Sequence, residues 1–369
     1  VRQHRADAEV SRGHRGVPAS LILRNTMTTL ASDTGKNVLE YITTLGILAM
    51  EGRGFEYPTD TVIAKNGRLY VTNRSRDMGE RGVRVTVLDI DSEYYGTFGH
   101  YGQGEGQLIS PMCAAEDSQG GIYVTDDYTH QITEFDYEGN FVSSWGVRGS
   151  GNGELNGPSG IAFDYEDNVY IADTHNNRVQ KFTAGGEFIF SFGSKGADEG
   201  QLDLPWGVTV APSGDVYVAD WGNNRIQQFS ADSEFVATYG VSGRGDGEFL
   251  RPSGVAVDER GYLYVSDWGN ERIQILDTDG AFLQKLRGQA TLSKWAANFL
   301  EINIEEGEAR SKANLEPNTD IFDPEDPHAQ SAHIEKLFWA PMSIKLDDSG
   351  KVYVTEGNRH RIQVYQRTS

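Results

Sequence analysis

Residues 240–276 read GVSGRGDGEFLRPSGVAVDERGYLYVSDWGNERIQIL. The stretch opens on a glycine-rich loop, starts again at Pro252-Ser-Gly, and passes through two short apolar strands. An Asp-Trp-Gly-Asn turn and an Arg-Ile-Gln-Ile strand close it. The same text recurs along the chain, and such a period decides the fold before any local reading. Lead prolines stand at Pro58, Pro111, Pro158, Pro205, Pro252 and Pro341; three successive intervals are 47 residues, the first is 53 and the last is 89.

Each unit carries a Tyr-Val/Ile strand, at Tyr70, Tyr123, Tyr170, Tyr217, Tyr264 and Tyr353. Eight residues after five of these tyrosines a further strand begins, at Gln131, Arg178, Arg225, Arg272 and Arg361. Units end in an aromatic residue and glycine: Phe98-Gly99, Trp145-Gly146, Phe192-Gly193, Tyr239-Gly240. Four short strands rich in β-branched and aromatic residues, parted by Gly, Asn and Asp turns, make a propeller blade. The expected fold is all-β: a six-bladed β-propeller of four-stranded antiparallel blades. The last unit supplies only three strands (342–346, 351–356, 361–366), and VLEYITTLG at residues 38–46 aligns with the missing fourth. Closing the ring in this way leaves no long open sheet edge.

The pattern G-x-G-x-G-E-F/L, P-x-G-V-A-V-D, G-x-L-Y-V-x-D and G-N-x-R-I-Q resembles the NHL-repeat family of six-bladed propellers. The likeness covers about residues 38–369 and is closest in VYIADTHNNRVQKF, VYVADWGNNRIQQF and LYVSDWGNERIQIL. It implies the fold strongly and a function weakly, because one fold hosts many functions. The NHL-like fold includes the amidating lyase of peptide hormones, whose zinc histidines follow the lead proline. The matching positions here are Thr59, Met112, Ser159, Trp206, Ser253 and Met342, so the resemblance does not extend to that activity. Related six-bladed lactonases and esterases hold a channel metal with Glu, Asn and Asp; Asp60 and Glu116 would begin such a set, without an evident third ligand.

The net charge is −21; the first 24 residues carry five arginines and two acids, leaving 28 bases against 52 acids, or −24, on the rest. Such a surface repels phosphate backbones and anionic lipid, so neither nucleic acid nor membrane is an expected partner. No run of about 18 apolar residues offers a membrane span. Cys113 is the only cysteine, so no intramolecular disulfide forms. Residues 1–37 read as a polar, disordered extension without the apolar core of a signal peptide, and Met27 is an alternative start. The expected location is cytoplasmic and the expected state monomeric.

Function is sought where the repeat departs from itself. Five loops from the closing glycine to the next lead proline are 12 residues long, whereas Gly288 to Pro341 is 53. Within this insertion (289–338), Leu292, Trp295, Ala296, Phe299 and Leu300 have helical spacing. Residues 305–315 read as a second polar helix and 320–327 as an acidic, proline-bearing loop. Inter-blade loops and the loops from second to third strand emerge on one face, so the insertion is expected there, near the channel mouth, as a cap or a lid. Blade one departs too: Tyr70 to Arg84 spans 14 residues against eight elsewhere. On the innermost strands, Asp60, Glu116 and Lys345 stand where blades three to five are small and apolar. They are the candidate catalytic residues, either paired with one another or bounding a polar pocket.

His130, His175, Asp60 and Glu116 are the candidate metal ligands, for zinc or calcium, with His100 and His360 in neighbouring loops. Asp173, Asp220 and Asp267 precede Asn-rich turns and are expected to brace them or to pair with Arg178, Arg225 and Arg272. Trp206, Trp221, Trp268, Trp295 and Phe299 are candidate anchors for a partner. Arg244-Gly245-Asp246 spells an adhesion tripeptide within a repeat turn. No G-x-S-x-G elbow or P-loop occurs. The expected function is a non-catalytic scaffold that presents its loop face to a protein or peptide. The alternative is a metal-dependent hydrolase or lyase at the channel mouth beneath the insertion.

Overall fold

The computed structural model describes residues 38–75, 81–318 and 326–368. The expected extension at 1–37, the centre of the long blade-one loop at 76–80 and most of the acidic loop at 319–325 lie outside these residues.

Six four-stranded antiparallel sheets follow one another along the chain. Blade three shows the pattern: inner strand Pro158–Phe163, then Asn168–Asp173, Arg178–Thr183 and outer strand Phe188–Phe192. The strands alternate, so the Tyr-Val segment at the blade's centre has both faces covered; Tyr170 and Ile171 are almost fully buried. Blade six is built from both ends of the described chain. Strands Pro341–Leu346, Lys351–Glu356 and Arg361–Arg367 are completed by Leu39–Leu45, in register from Leu39 opposite Arg367 to Leu45 opposite Ile362. A bulge between Tyr41 and Thr43 interrupts that pairing.

The core is a ring of seams. One buried apolar cluster fills each junction: Val62 with Val124, Tyr123 with Ile161, Tyr170 with Val208, Tyr217 with Val255, Tyr264 with Ile344, and Tyr353 with Val71. Around the channel, glycine sets the approach distance in blades three to five. A Cβ on Gly160 would stand 2.4 Å from the Trp206 carbonyl oxygen, and one on Gly207 2.7 Å from that of Ser253.

The insertion folds as three helices: α1 (Lys294–Ile302), α2 (Ile304–Lys312) and α3 (Pro327–His333). The first two match the sequence pattern, whereas α3 falls where it suggested no helix. Proline at its first position and an Asp326 side chain that accepts from His328 N explain its start. The placement differs from expectation. The α1 segment packs on the outer rim, where the outermost strand of blade six meets the third-to-fourth-strand turn of blade one. Trp295 donates to the Ser92 carbonyl at 2.7 Å, Lys294 to that of Asp91 at 3.0 Å, and Ser293 to that of Gly46. The indole is buried there: Trp295 is 1 % exposed, against Phe55 and Tyr94. The α3 helix lies on the loop face over blades five and six, where Arg287 donates to Gln330 and Ser331, and α2 is tied to the blade-six lead loop by Arg310 with Glu335.

Candidate functional site

The channel is the first place to look for chemistry. Its cavity holds about 20 Å³ between Asp60, Cys113, Gly160, Gly207, Gly254 and Lys345. That is room for about one water molecule. No described residue of the insertion lines it.

Asp60 is fully buried, and its carboxylate is engaged on both oxygens. One accepts from Thr61 N at 2.9 Å; the other accepts from Ala114 N at 3.1 Å and meets Lys345 Nζ at 3.2 Å. A single side chain of blade one therefore ties blades six, one and two together. Burial opposes the Lys345 ammonium, but the attraction of Asp60 prevails and holds its pKa above the usual lysine value. Burial and the same carboxylate push the Cys113 thiol well up, away from a reactive thiolate. Glu116 does not join this group. It sits at the far end of its strand and accepts from Lys65 N at 3.0 Å, with its pKa raised by burial.

The histidines serve the seams. His130, Asn177, Asn224, Glu271 and His360 occupy one repeat position, immediately before the third strand, with φ between 50° and 58°. Each accepts a hydrogen bond from a backbone N–H of the next blade's lead loop: Gly157, Leu204, Arg251, Ala340 and Tyr57 respectively. Neither His130 nor His360 is therefore free to aim its accepting nitrogen at a metal. Burial keeps the His130 pKa below the usual value, as a neutral acceptor requires. His175 lies against Gly157, beside His130. Among the described residues no three His, Cys, Asp or Glu side chains converge on a metal site.

The repeat carboxylates also belong to the scaffold. Asp173, Asp220, Asp267 and Glu356 pair with Arg178, Arg225, Arg272 and Arg361 at 2.7–2.8 Å. Arg272 also donates to the carbonyls of Arg244, Gly245 and Glu248, so the adhesion-like tripeptide is the floor of an arginine socket.

A different feature marks the loop face. Trp206, Trp221 and Trp268, each half-buried, form a row with ring centroids 6.3 and 6.5 Å apart. The row continues to His328 of α3, 6.0 Å from Trp268, and the Arg251 guanidinium lies 4.7 Å from the Trp221 centroid. His328 Nδ1 meets the buried Glu271 carboxylate at 2.5 Å, which raises its pKa despite partial burial. The two other aromatic candidates are elsewhere: Trp295 is sealed in the rim, and Phe299, 45 % exposed, lies beyond it on α1. Trp221 and Trp268 were legible because they share a repeat position 47 residues apart; His328 and Arg251 had no such signal.

Among the described residues no helix is long and apolar enough to cross a membrane. Comparison with curated proteins found no match. Among solved structures, a streptogramin B lyase is 15 % identical with TM-score 0.52, covering 90 % of this chain and 87 % of that one. A gluconolactonase from Xanthomonas campestris is 13 % identical with TM-score 0.53, covering 91 % and 96 %. A protein of unknown function from Bacteroides thetaiotaomicron is 17 % identical with TM-score 0.56, covering 88 % and 75 %. At these identities the likeness shows the fold alone. The NHL repeat model matches residues 155–182, 202–229, 249–276 and 338–365, the hearts of blades three to six. The chain is an NHL-repeat β-propeller of six blades.

Proposed function

We propose that this propeller is a non-catalytic binding scaffold whose loop face takes up a protein or peptide partner. The aromatic row Trp206–Trp221–Trp268–His328 carries the proposal. Partly exposed tryptophans held rigid beside an arginine are the residue types that dominate binding energy at interfaces. The rings pack on one another and beside Arg251, so less conformational entropy opposes their use. The channel favours this reading over catalysis: its acid is engaged, its thiol is suppressed and its volume admits about one water. The proposal includes a monomer acting without nucleic acid, in keeping with the net charge of −21.

The test is selection of displayed peptides on the full chain, repeated on Trp221→Ala and Trp268→Ala. A selected peptide is expected to bind each variant about 30-fold more weakly, the effect of losing a 2 kcal/mol anchor. Unchanged melting temperatures would show that the surface alone was altered. Equal binding to the variants would overturn the proposal. Elemental mass spectrometry separates the catalytic alternative, since a stoichiometric zinc or calcium ion removed by Asp60→Ala would replace the scaffold with a metal-dependent hydrolase or lyase.

A further inference from the structure

Five blades fill the same hollow between lead loop and third strand with an arginine of their own. Arg84 donates to the carbonyls of Ala49, Met50 and Gly54. Arg178 donates to those of Gly151 and Glu154, Arg225 to those of Asp198 and Gln201, Arg272 to those of Gly245 and Glu248, and Arg361 to that of Leu337. In blades three to five a glutamine two residues on (Gln180, Gln227, Gln274) shares the second of these carbonyls.

Blade two has Gln131 and Thr133 instead. Its lead loop keeps the shape of the others, with Gln107 N donating to the Gly104 carbonyl as Glu154 N does to Gly151. Yet no side chain of the described residues donates to the carbonyls of Gly104 and Gln107, the counterparts of Gly151 and Glu154. A hollow of about 410 Å³ opens there, lined by the 103–107 loop, Tyr128, Gln131, Thr133 and Ser144. That volume falls within the range of small-molecule pockets. Its electrostatics suit a cation. Asp126, fully buried at the position of Asp173, accepts four backbone N–H bonds, from Ile109, Ser110, Tyr128 and Thr129. It has no basic partner among the described residues, and Glu105 stands exposed on the rim.

We propose that this blade-two hollow is a guanidinium-binding site, filled from outside by an arginine side chain of a peptide or protein partner. The geometry of the neighbouring blades defines the ligand. In blade three the fork of one planar guanidinium bridges the buried carboxylate and the loop: Arg178 Nε donates to Asp173 at 2.8 Å, while Nη2 donates to the Gly151 and Glu154 carbonyls at 2.6 and 2.9 Å. A lysine ammonium is a point charge without that fork. The partner as source of the arginine rests on the scaffold reading; the guanidinium site itself does not.

The test titrates the full chain with a blocked Gly-Arg-Gly peptide, its Gly-Lys-Gly counterpart and free L-arginine, by calorimetry and amide shifts of residues 103–107. The arginine peptide is expected to bind about tenfold or more tightly than the lysine peptide. The double variant Gln131→Arg/Thr133→Gln rebuilds the blade-three arrangement, and is expected to abolish that binding while raising the melting temperature. Should the double variant fail to fold, Ser144→Lys on the exposed outer strand places a cation against the same wall and is expected to weaken the arginine peptide about tenfold. Equal affinity for lysine, absence of binding, or binding untouched by these variants would overturn the site. Free arginine binding as tightly as the peptide would overturn the partner as source. Arginine binding retained while Trp221→Ala leaves selected peptides unaffected would sink the scaffold reading and spare the site.

Discussion

Arg272 shows how much rests on one side chain in this repeat. It is 5 % exposed, faces the fully buried Asp267 at 2.7 Å and donates to three loop carbonyls. Arg272→Ala would take from the buried Asp267 carboxylate its charged partner and from three carbonyls one donor each, and is expected to cost about 3–5 kcal/mol in denaturant unfolding. Gln131→Ala at the same repeat position in blade two is expected to change stability by less than about 0.5 kcal/mol. The pairing of Asp173, Asp220 and Asp267 with their arginines was legible because both members recur at fixed spacing. The role of His130 and His360 was not. In sequence they resemble metal ligands; their equivalence to Asn177 and Asn224 emerges only when the accepted hydrogen bonds are compared. This equivalence has a pH consequence. The folded-state pKa of His130 lies below its unfolded value because burial disfavours the cation. Its contribution is therefore complete above about pH 6.5 and lost as pH falls through the lower folded value. His130→Asn is expected to flatten that acid limb in chemical denaturation measured from pH 7 to 4.5. An unchanged limb would remove His130 from the seam's account.

At the scale of elements, the strands were readable from period and composition, and the helix α1 from its apolar spacing. Where α1 goes was not readable, because helical spacing says which face is buried and nothing about what buries it. The candidates Trp295 and Phe299 are four residues apart, yet one is 1 % and the other 45 % exposed. Trp295→Ala is expected to destabilise the chain by about 3–5 kcal/mol, and Phe299→Ala by less than about 0.5 kcal/mol. Comparable losses for both in thermal unfolding would mean that α1 is seated differently. Asp60 and Lys345 were legible as charges on inner strands, and their union at 3.2 Å is one of the two outcomes that such charges allow. Glu116 fails to join them because side chains alternate along a strand, and Lys345, four residues after its lead proline, shares the parity of Asp60. Asp60 lies two residues after its lead proline, and Glu116 five after its own.

For the molecule as a whole, the six-fold plan was visible in the repeats, whereas the blade-two hollow is the imprint of residues that are absent. Absence becomes visible only when the other blades show what belongs there. The net charge of −21 bears on the same hollow, since a field of that sign gathers cationic ligands before contact. Affinity for an arginine peptide is expected to fall several-fold between about 0.05 and 0.5 M salt, as screening shortens to a few ångströms. A flat salt response would mean that only the two carbonyls count. The junction that closes blade six has a consequence in time. Thr368 N donates to the Val38 carbonyl, and the strand that starts at Leu39 pairs with one that ends at Arg367. During translation the strand that starts at Leu39 therefore waits for the one that ends at Arg367. At about 5–20 residues per second the wait is on the order of 15–60 s, throughout which that strand has no partner and invites the attention of chaperones.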